Sequence, residues 1–259
     1  MRNTISFILL SLCAVSHLHA SDITLTVLYD NTAFDERLAP DWGFSCLVKV
    51  LDRTVLFDTG TNPQILAQNA TLLNVDWSTI DDIVISHHHL DHTGGLDTVL
   101  ALKTQSRVWF PQEFPDAFAK SVKERGGIPV LVGGPANLID HVHLTGNLGT
   151  DIVEQALYLD TDKGVVVITG CSHPGIVHMV KSVKEMSGKP IYMVLGGFHL
   201  LRYDDTALDK IITQLKALGV QKCGATHCTG EHAIQKFKDA FGADFIDLGA
   251  GRVLFIQMD

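Results

Sequence analysis

Apolar and polar positions change period along this chain, and the changes mark its elements. Ile23-Thr24-Leu25-Thr26-Val27-Leu28-Tyr29 alternates and is rich in β-branched residues, the pattern of a strand. Phe44 to Leu51 and Thr54 to Phe57 repeat it around Asp52-Arg53, which predicts a hairpin. Residues 62–73 then predict a helix, 82–86 a strand, 96–103 a helix and 107–110 a strand. Residues 111–127, flanked by Pro and Gly and charged, are expected to be partly helical, a peripheral insertion that covers a cleft. From Ile128 the chain is strand-rich, with a hairpin signal at residues 160–163 between two apolar runs. A helix is expected near Pro174, which suits a first helical position. Strands at 191–195 and 223–226 alternate with helices at 207–218 and 231–241, and strands near Phe245 and at 253–256 close the chain. With no repeat and no low-complexity linker, the pattern predicts an α/β fold of two sheets back to back with helices outside.

Composition agrees: 46% apolar and 19% charged residues in a chain of 259 describe a globular fold with a sizeable core. The first twenty residues differ. Arg2, an apolar run from Ile5 to Val15 and the small residue Ala20 read as a cleaved secretory signal, so a single domain over residues 21–259 is expected to be periplasmic or secreted. The run is shorter than the roughly 20 residues of a membrane span, so no stable membrane anchor is expected after cleavage. Cleavage after Ala20 would take the net charge from −9 to −10, since Arg2 is the only charged group removed. That balance argues against nucleic acid as a partner and leaves a small, even anionic, substrate open. Oligomeric state is not fixed by these features. Cys46, Cys171, Cys223 and Cys228 remain, too few for a disulfide framework, with a Cys223–Cys228 bridge left open.

The chemistry concentrates in Ser86 to Gly95, which reads Ser-His-His-His-Leu-Asp-His-Thr-Gly-Gly. His87, His89, Asp91 and His92 follow the spacing His-x-His-x-Asp-His directly after the apolar run Ile83-Val84-Ile85. Imidazole and carboxylate together suit zinc, iron or manganese, and packing alone gives no reason for so many polar groups in six residues. Of thirteen histidines, three more lie just beyond predicted strands in loops containing Gly: His173, His199 and His227. Strands of one sheet would deliver these loops to the edge that holds His87 to His92. His141, His143, His178 and His232 are read as ordinary surface or core residues, and Asn31 and Ser45 as ordinary loop or strand residues near the cleft.

This combination resembles the metallo-β-lactamase superfamily of hydrolases across nearly the whole mature chain. The resemblance rests on Leu56-Phe57-Asp58-Thr59-Gly60, on His-x-His-x-Asp-His, and on the later strand-end histidines. Four motifs are similar to the dihydropterin-methyl-ribofuranosylaminobenzene-phosphate-synthase-like branch: Leu28-Tyr29-Asp30-Asn31, residues 170–175, residues 196–200, and His227-Cys228-Thr229-Gly230. The resemblance implies an αβ/βα four-layer sandwich and two divalent ions, zinc before iron or manganese, sharing a hydroxide. It implies one ion on His87, His89 and His173, and the other on Asp91, His92 and His227. Asp58 would steer ligands by hydrogen bonds rather than bind metal. Where many members carry a bridging Asp, this chain has Gly170-Cys171-Ser172-His173, which leaves Cys171 open as a thiolate ligand or a small buried residue. His199 stays open between support, substrate contact and ligation.

Export and the paired-ion pattern together lead to the expectation of an exported hydrolase acting on a phosphoester or lactone. Asp91 would relay a proton and His199 would steady the developing oxyanion. The alternatives are a transferase similar to the pterin-condensing member of the branch, which export disfavours, and a metal-dependent binding or sensor protein.

Overall fold

The computed structural model describes residues 23–258; the leader reading of residues 1–20 lies outside them. One sheet holds β1 (Ile23–Tyr29), β2 (Ser45–Val50), β3 (Arg53–Phe57), β4 (Ile80–Val84), β5 (Arg107–Pro111) and β6 (Ile128–Val132). The last strand, β13 (Val253–Ile256), pairs with β1 at its edge. The other sheet holds β7 (Ala136–Ile139), β8 (Val142–Leu144), β9 (Leu157–Thr161), β10 (Gly164–Thr169), β11 (Ile191–Gly197) and β12 (Lys222–Thr226), and its spatial order is β12-β11-β10-β9-β8-β7. Helices α1 (Pro63–Leu72), α2 (Leu90–Thr93), α3 (Leu96–Leu102) and α4 (Asp116–Glu124) accompany the first sheet. Helices α5 (Ile176–Ser187), α6 (Asp205–Ala217) and α7 (Glu231–Phe241) accompany the second.

Side-chain alternation explains the layering. In β10, Val165 and Val167 join a core shared with Val180 of α5, Leu208 of α6 and Phe237 of α7. Val166 and Ile168, pointing the other way, join Val48, Val55 and Phe57 of the first sheet. Leu56 packs with Leu66, Val99 and Val122 of α1, α3 and α4. Every residue of β10 is buried because both of its faces are covered, as expected of a strand with a parallel neighbour inside an α/β sandwich. The four-layer sandwich expected from the sequence is the fold observed.

Three local readings change. The hairpin turns at Leu51-Asp52, with Leu51 at φ 53° and Val50 opposite Arg53, one residue earlier than the sequence pattern suggests. Phe245 makes one bridge to Cys223 instead of a strand, because a 3-10 turn at Gly242–Asp244 precedes it. Residues 111–127 are no peripheral insertion. They form the crossover between parallel β5 and β6, and they bury Phe114 and Val122 in the first sheet's helical core. Their loop at Glu113, Phe114 and Pro115 nevertheless walls a cleft with His88 and His89.

β3 and β4 run parallel, as do β10, β11 and β12, so their carboxyl ends bring five loops to one edge of the sandwich. No helix among the described residues is long and apolar enough to cross a membrane.

Candidate metal centre

At the end of β4, Ser86 turns the chain so that His87 points inward and α2 follows with Asp91 and His92. His87 Nε2 lies 3.0 Å from His89 Nδ1, and the His173 ring packs on both, with centroids 4.7 and 4.9 Å away. Ligand atoms of His87, His89 and His173 lie within 4.8 Å of one another, and so do those of Asp91, His92, Cys171 and His227. Every ligand predicted from the sequence is therefore in one of two adjacent groups, and Cys171 joins the second. Its Sγ stands 3.2 Å from His92 Nε2 and 3.4 Å from His227 Nε2. His199 falls in neither group; it shares a third with Cys171 and Cys228 and packs on His173 with centroids 4.3 Å apart and the rings tilted by 50°.

One buried atom tests whether these residues suit a metal. His173 Nε2 is buried without a hydrogen-bond partner among the described residues, a costly arrangement for an imidazole nitrogen that serves only packing. Burial, together with neighbouring histidines, pushes His173 down to about 3 and His87 well below its ordinary value. Neutral rings keep a lone pair for a cation. The donor set of imidazoles, one carboxylate and one thiol fits divalent metal binding.

The loops are held by groups around the ligands. Asp58 is fully buried; its Oδ1 accepts Ser86 N–H at 2.7 Å, and its Oδ2 accepts the Ser86 hydroxyl and meets His92 Nδ1, each also at 2.7 Å. Burial would lower His92, but the carboxylates of Asp58, Asp91 and Glu154 together outweigh it, Asp58 foremost, and lift the ring to about 9. Asp58 thus orients its histidine, as the sequence suggests. Ser45, at the start of β2, donates to the Asp58 carbonyl at 2.8 Å.

Further groups support the ligand loops, two of them, Asp30 and Asn31, within the Leu28-Tyr29-Asp30-Asn31 motif. Glu154, fully buried, accepts the backbone N–H groups of Cys171 and Ser172 through Oε1 and of His173 through Oε2, each at 2.9 Å. Burial pushes Glu154 up to about 7 against those three donors. Asn31 Oδ1 lies 2.9 Å from His227 Nδ1 and its amide donates to the His227 carbonyl, so it is a positioning group rather than the ordinary loop residue expected. Asp30 beside it accepts Thr226 Oγ1 at 2.6 Å, and burial pushes it up to about 6. Trp42 donates its indole N–H to Asp91 Oδ2 at 3.0 Å.

Backbone strain gathers at the same edge. Asp58, Ser172, His199 and His227 all have φ between 52° and 65°, a region that non-glycine residues avoid without local compensation. Gly170 has no substitute: a Cβ there would collide with the Ser86 hydroxyl and come within 3.0 Å of Asp58 Oδ2. Cys223 and Cys228 are both free thiols, so the bridge left open by the sequence does not form; Cys228 instead lies near Cys171 and His199. His143 and His232 pair with Asp160 and Asp205 away from the centre, consistent with the ordinary roles given them.

Residues 43–180 match the family model of the metallo-beta-lactamase superfamily. The chain belongs to the metallo-beta-lactamase superfamily. It is 32% identical to the 7,8-dihydropterin-6-methyl-4-(beta-D-ribofuranosyl)-aminobenzene-5'-phosphate synthase of Methanocaldococcus jannaschii, over 88% of this chain and 95% of that one. An uncharacterised protein of the same organism, MJ0448, is 29% identical over 82% of this chain and 93% of its own. The solved structure of Tm1679, described as a metal-dependent hydrolase of the beta-lactamase superfamily, is 30% identical, with TM-score 0.77 over 91% of this chain and 99% of that one.

The kinship to a synthase overturns the expectation of a hydrolase acting on a phosphoester or lactone. The physical reason lies in what the motif encodes. His-x-His-x-Asp-His specifies a cation site, and a cation activates an electrophile equally well for water and for another nucleophile. The histidine spacing cannot choose between them.

Proposed function

We propose that this superfamily enzyme is a metal-dependent synthase of the kind its Methanocaldococcus jannaschii relative is named for, joining a dihydropterin through its 6-methyl carbon to an aminobenzene that carries a ribofuranosyl phosphate. The observation that carries this reading is 32% identity to that synthase along 88% of this chain and 95% of that one. Two divalent ions, zinc by preference, are assigned to His87, His89 and His173 and to Asp91, His92, Cys171 and His227. When bound, they supply Lewis acidity toward an anionic oxygen on the substrate.

Joining the two parts forms a bond from the aminobenzene nitrogen to the methyl carbon. The bond from that carbon to its leaving group breaks, the leaving group departs as an anion, and the nitrogen must shed a proton. We assign the proton to His199, which is exposed and lines two of the clefts around the centre. Asp91 Oδ2 is already engaged by Trp42 and His227, so Asp91 is assigned as a ligand and not as the proton carrier. Asp58, Glu154 and Asn31 hold the ligand loops still, which keeps the two substrates at a fixed separation.

His199→Gln keeps the size of the side chain and removes the base. Steady-state kinetics should show kcat down about 100-fold, with metal content and KM little changed. A kcat within twofold of the native value would remove His199 from the proton transfer.

A further inference from the structure

Two clefts flank the histidine centre, and their charges are opposite. One, about 700 Å³, is lined by His88, His89 and Phe114, and its charged groups are the carboxylates of Glu113 and Asp151. The other, about 430 Å³, is lined by His173 and His199, and its charged side chain is Lys181, beside His178. No carboxylate lines this second cleft among the described residues. His89 borders the first cleft and His173 the second, and their rings stand 4.9 Å apart. The clefts therefore meet at the two imidazoles of one ligand group, one on each side.

We propose that the centre is loaded from both sides, with a 2-aminopyrimidinone ring held in the Glu113–Asp151 cleft and a phosphate held in the His178–Lys181 cleft. The proposal rests on the synthase reading and adds to it where each half-substrate sits.

The chemistry follows from donors and acceptors. A 2-aminopyrimidinone ring presents adjacent N–H donors on one edge, and a carboxylate is the acceptor that matches such an edge with two bonds. Phe114 gives the ring an apolar wall, and Glu113 accepts one long hydrogen bond from the Asn147 amide at 3.4 Å. On the other side, His178 and Lys181 are three residues apart on α5, so they share a face of the helix. Both are exposed to the cleft's solvent. Lys181 reaches Glu185 at 3.7 Å, an exposed pair that a phosphate with two negative charges would outcompete. Phosphate in the first cleft would meet two carboxylates, whereas the second offers the Lys181 ammonium and no carboxylate to match the pyrimidinone edge, so charge sets the orientation.

The test uses the full metal-loaded protein and two probes, 6-hydroxymethylpterin and ribose 5-phosphate, by calorimetry singly and together. Both should bind the native protein, and saturation with one should leave the affinity for the other unchanged. Glu113→Gln with Asp151→Asn should weaken the pterin about tenfold or more and spare ribose 5-phosphate. His178→Asn with Lys181→Met should do the reverse by a similar factor. All four side chains are exposed, so these variants keep the fold. If both probes bind but compete, or if either pair of substitutions affects the wrong probe or neither, the two-sided assignment is overturned while the synthase reading stands. If either probe fails to bind the native protein, the synthase reading falls and the assignment falls with it.

Discussion

His227→Ala is expected to release one of two metal equivalents and to lower turnover by about 1000-fold. His227 Nε2 lies 3.3 Å from Asp91 Oδ2 and 3.4 Å from Cys171 Sγ, so it closes a ligand group whose other members come from α2 and the β10 loop. Without it, the group keeps one imidazole, one carboxylate and one thiol. Lewis-acid assistance is worth several kcal/mol, and each 1.36 kcal/mol is a factor of ten, hence roughly three decades. The separate group of His87, His89 and His173 should keep its ion. Elemental analysis of the purified variant reads the count, and retention of both equivalents would remove His227 from the ligand set. Asn31→Ala is the milder companion. It frees the other ring nitrogen of His227 and should cost roughly 10- to 100-fold in metal affinity without abolishing binding.

Asp58→Ala is expected to destabilise the protein by about 3–5 kcal/mol, a large share of the 5–15 kcal/mol that holds a typical domain. The loss has three parts. Ser86 N–H and the Ser86 hydroxyl lose their acceptor in a fully buried place, and His92 loses the foremost of the carboxylates that raise it. Alanine must also adopt φ near 56°, which asparagine tolerates better. Asp58→Asn should therefore cost less stability than alanine while still weakening metal binding, because an amide cannot match the charge that orients His92. Denaturant unfolding of the two variants separates these effects. An alanine variant within 1 kcal/mol of the native protein would show that Asp58 does not organise the loops.

Much of the site was legible because its signals are local. His87, His89, Asp91 and His92 sit within six residues, and His173, His199 and His227 each follow a strand whose apolar run is plain. Their convergence follows from parallel strands ending at one edge. The supports were not legible, because their partners are remote. Glu154 reaches the loop of Cys171 to His173 from 17 to 19 residues away, and Asn31 reaches His227 across 196 residues. Glu154 has no spacing that sets it apart from an ordinary polar residue, and the Leu28-Tyr29-Asp30-Asn31 motif does not reveal that Asn31 meets His227. Residues 111–127 were misread as peripheral because charge and proline obscured Phe114 and Val122, whose burial depends on the parallel pairing of β5 with β6. Function was the least legible of all, since the same donors serve water or an amine as nucleophile.

Partition between those nucleophiles tests the account most directly. The metal-loaded protein would be given a dihydropterin bearing a leaving group on its 6-methyl carbon, together with the ribofuranosyl-aminobenzene phosphate, in 18O-labelled water, and the products weighed by mass spectrometry. The account predicts the coupled product without 18O, lost when a chelator strips the metal. A hydrolysed pterin or released group carrying 18O, with no coupled product, would contradict it.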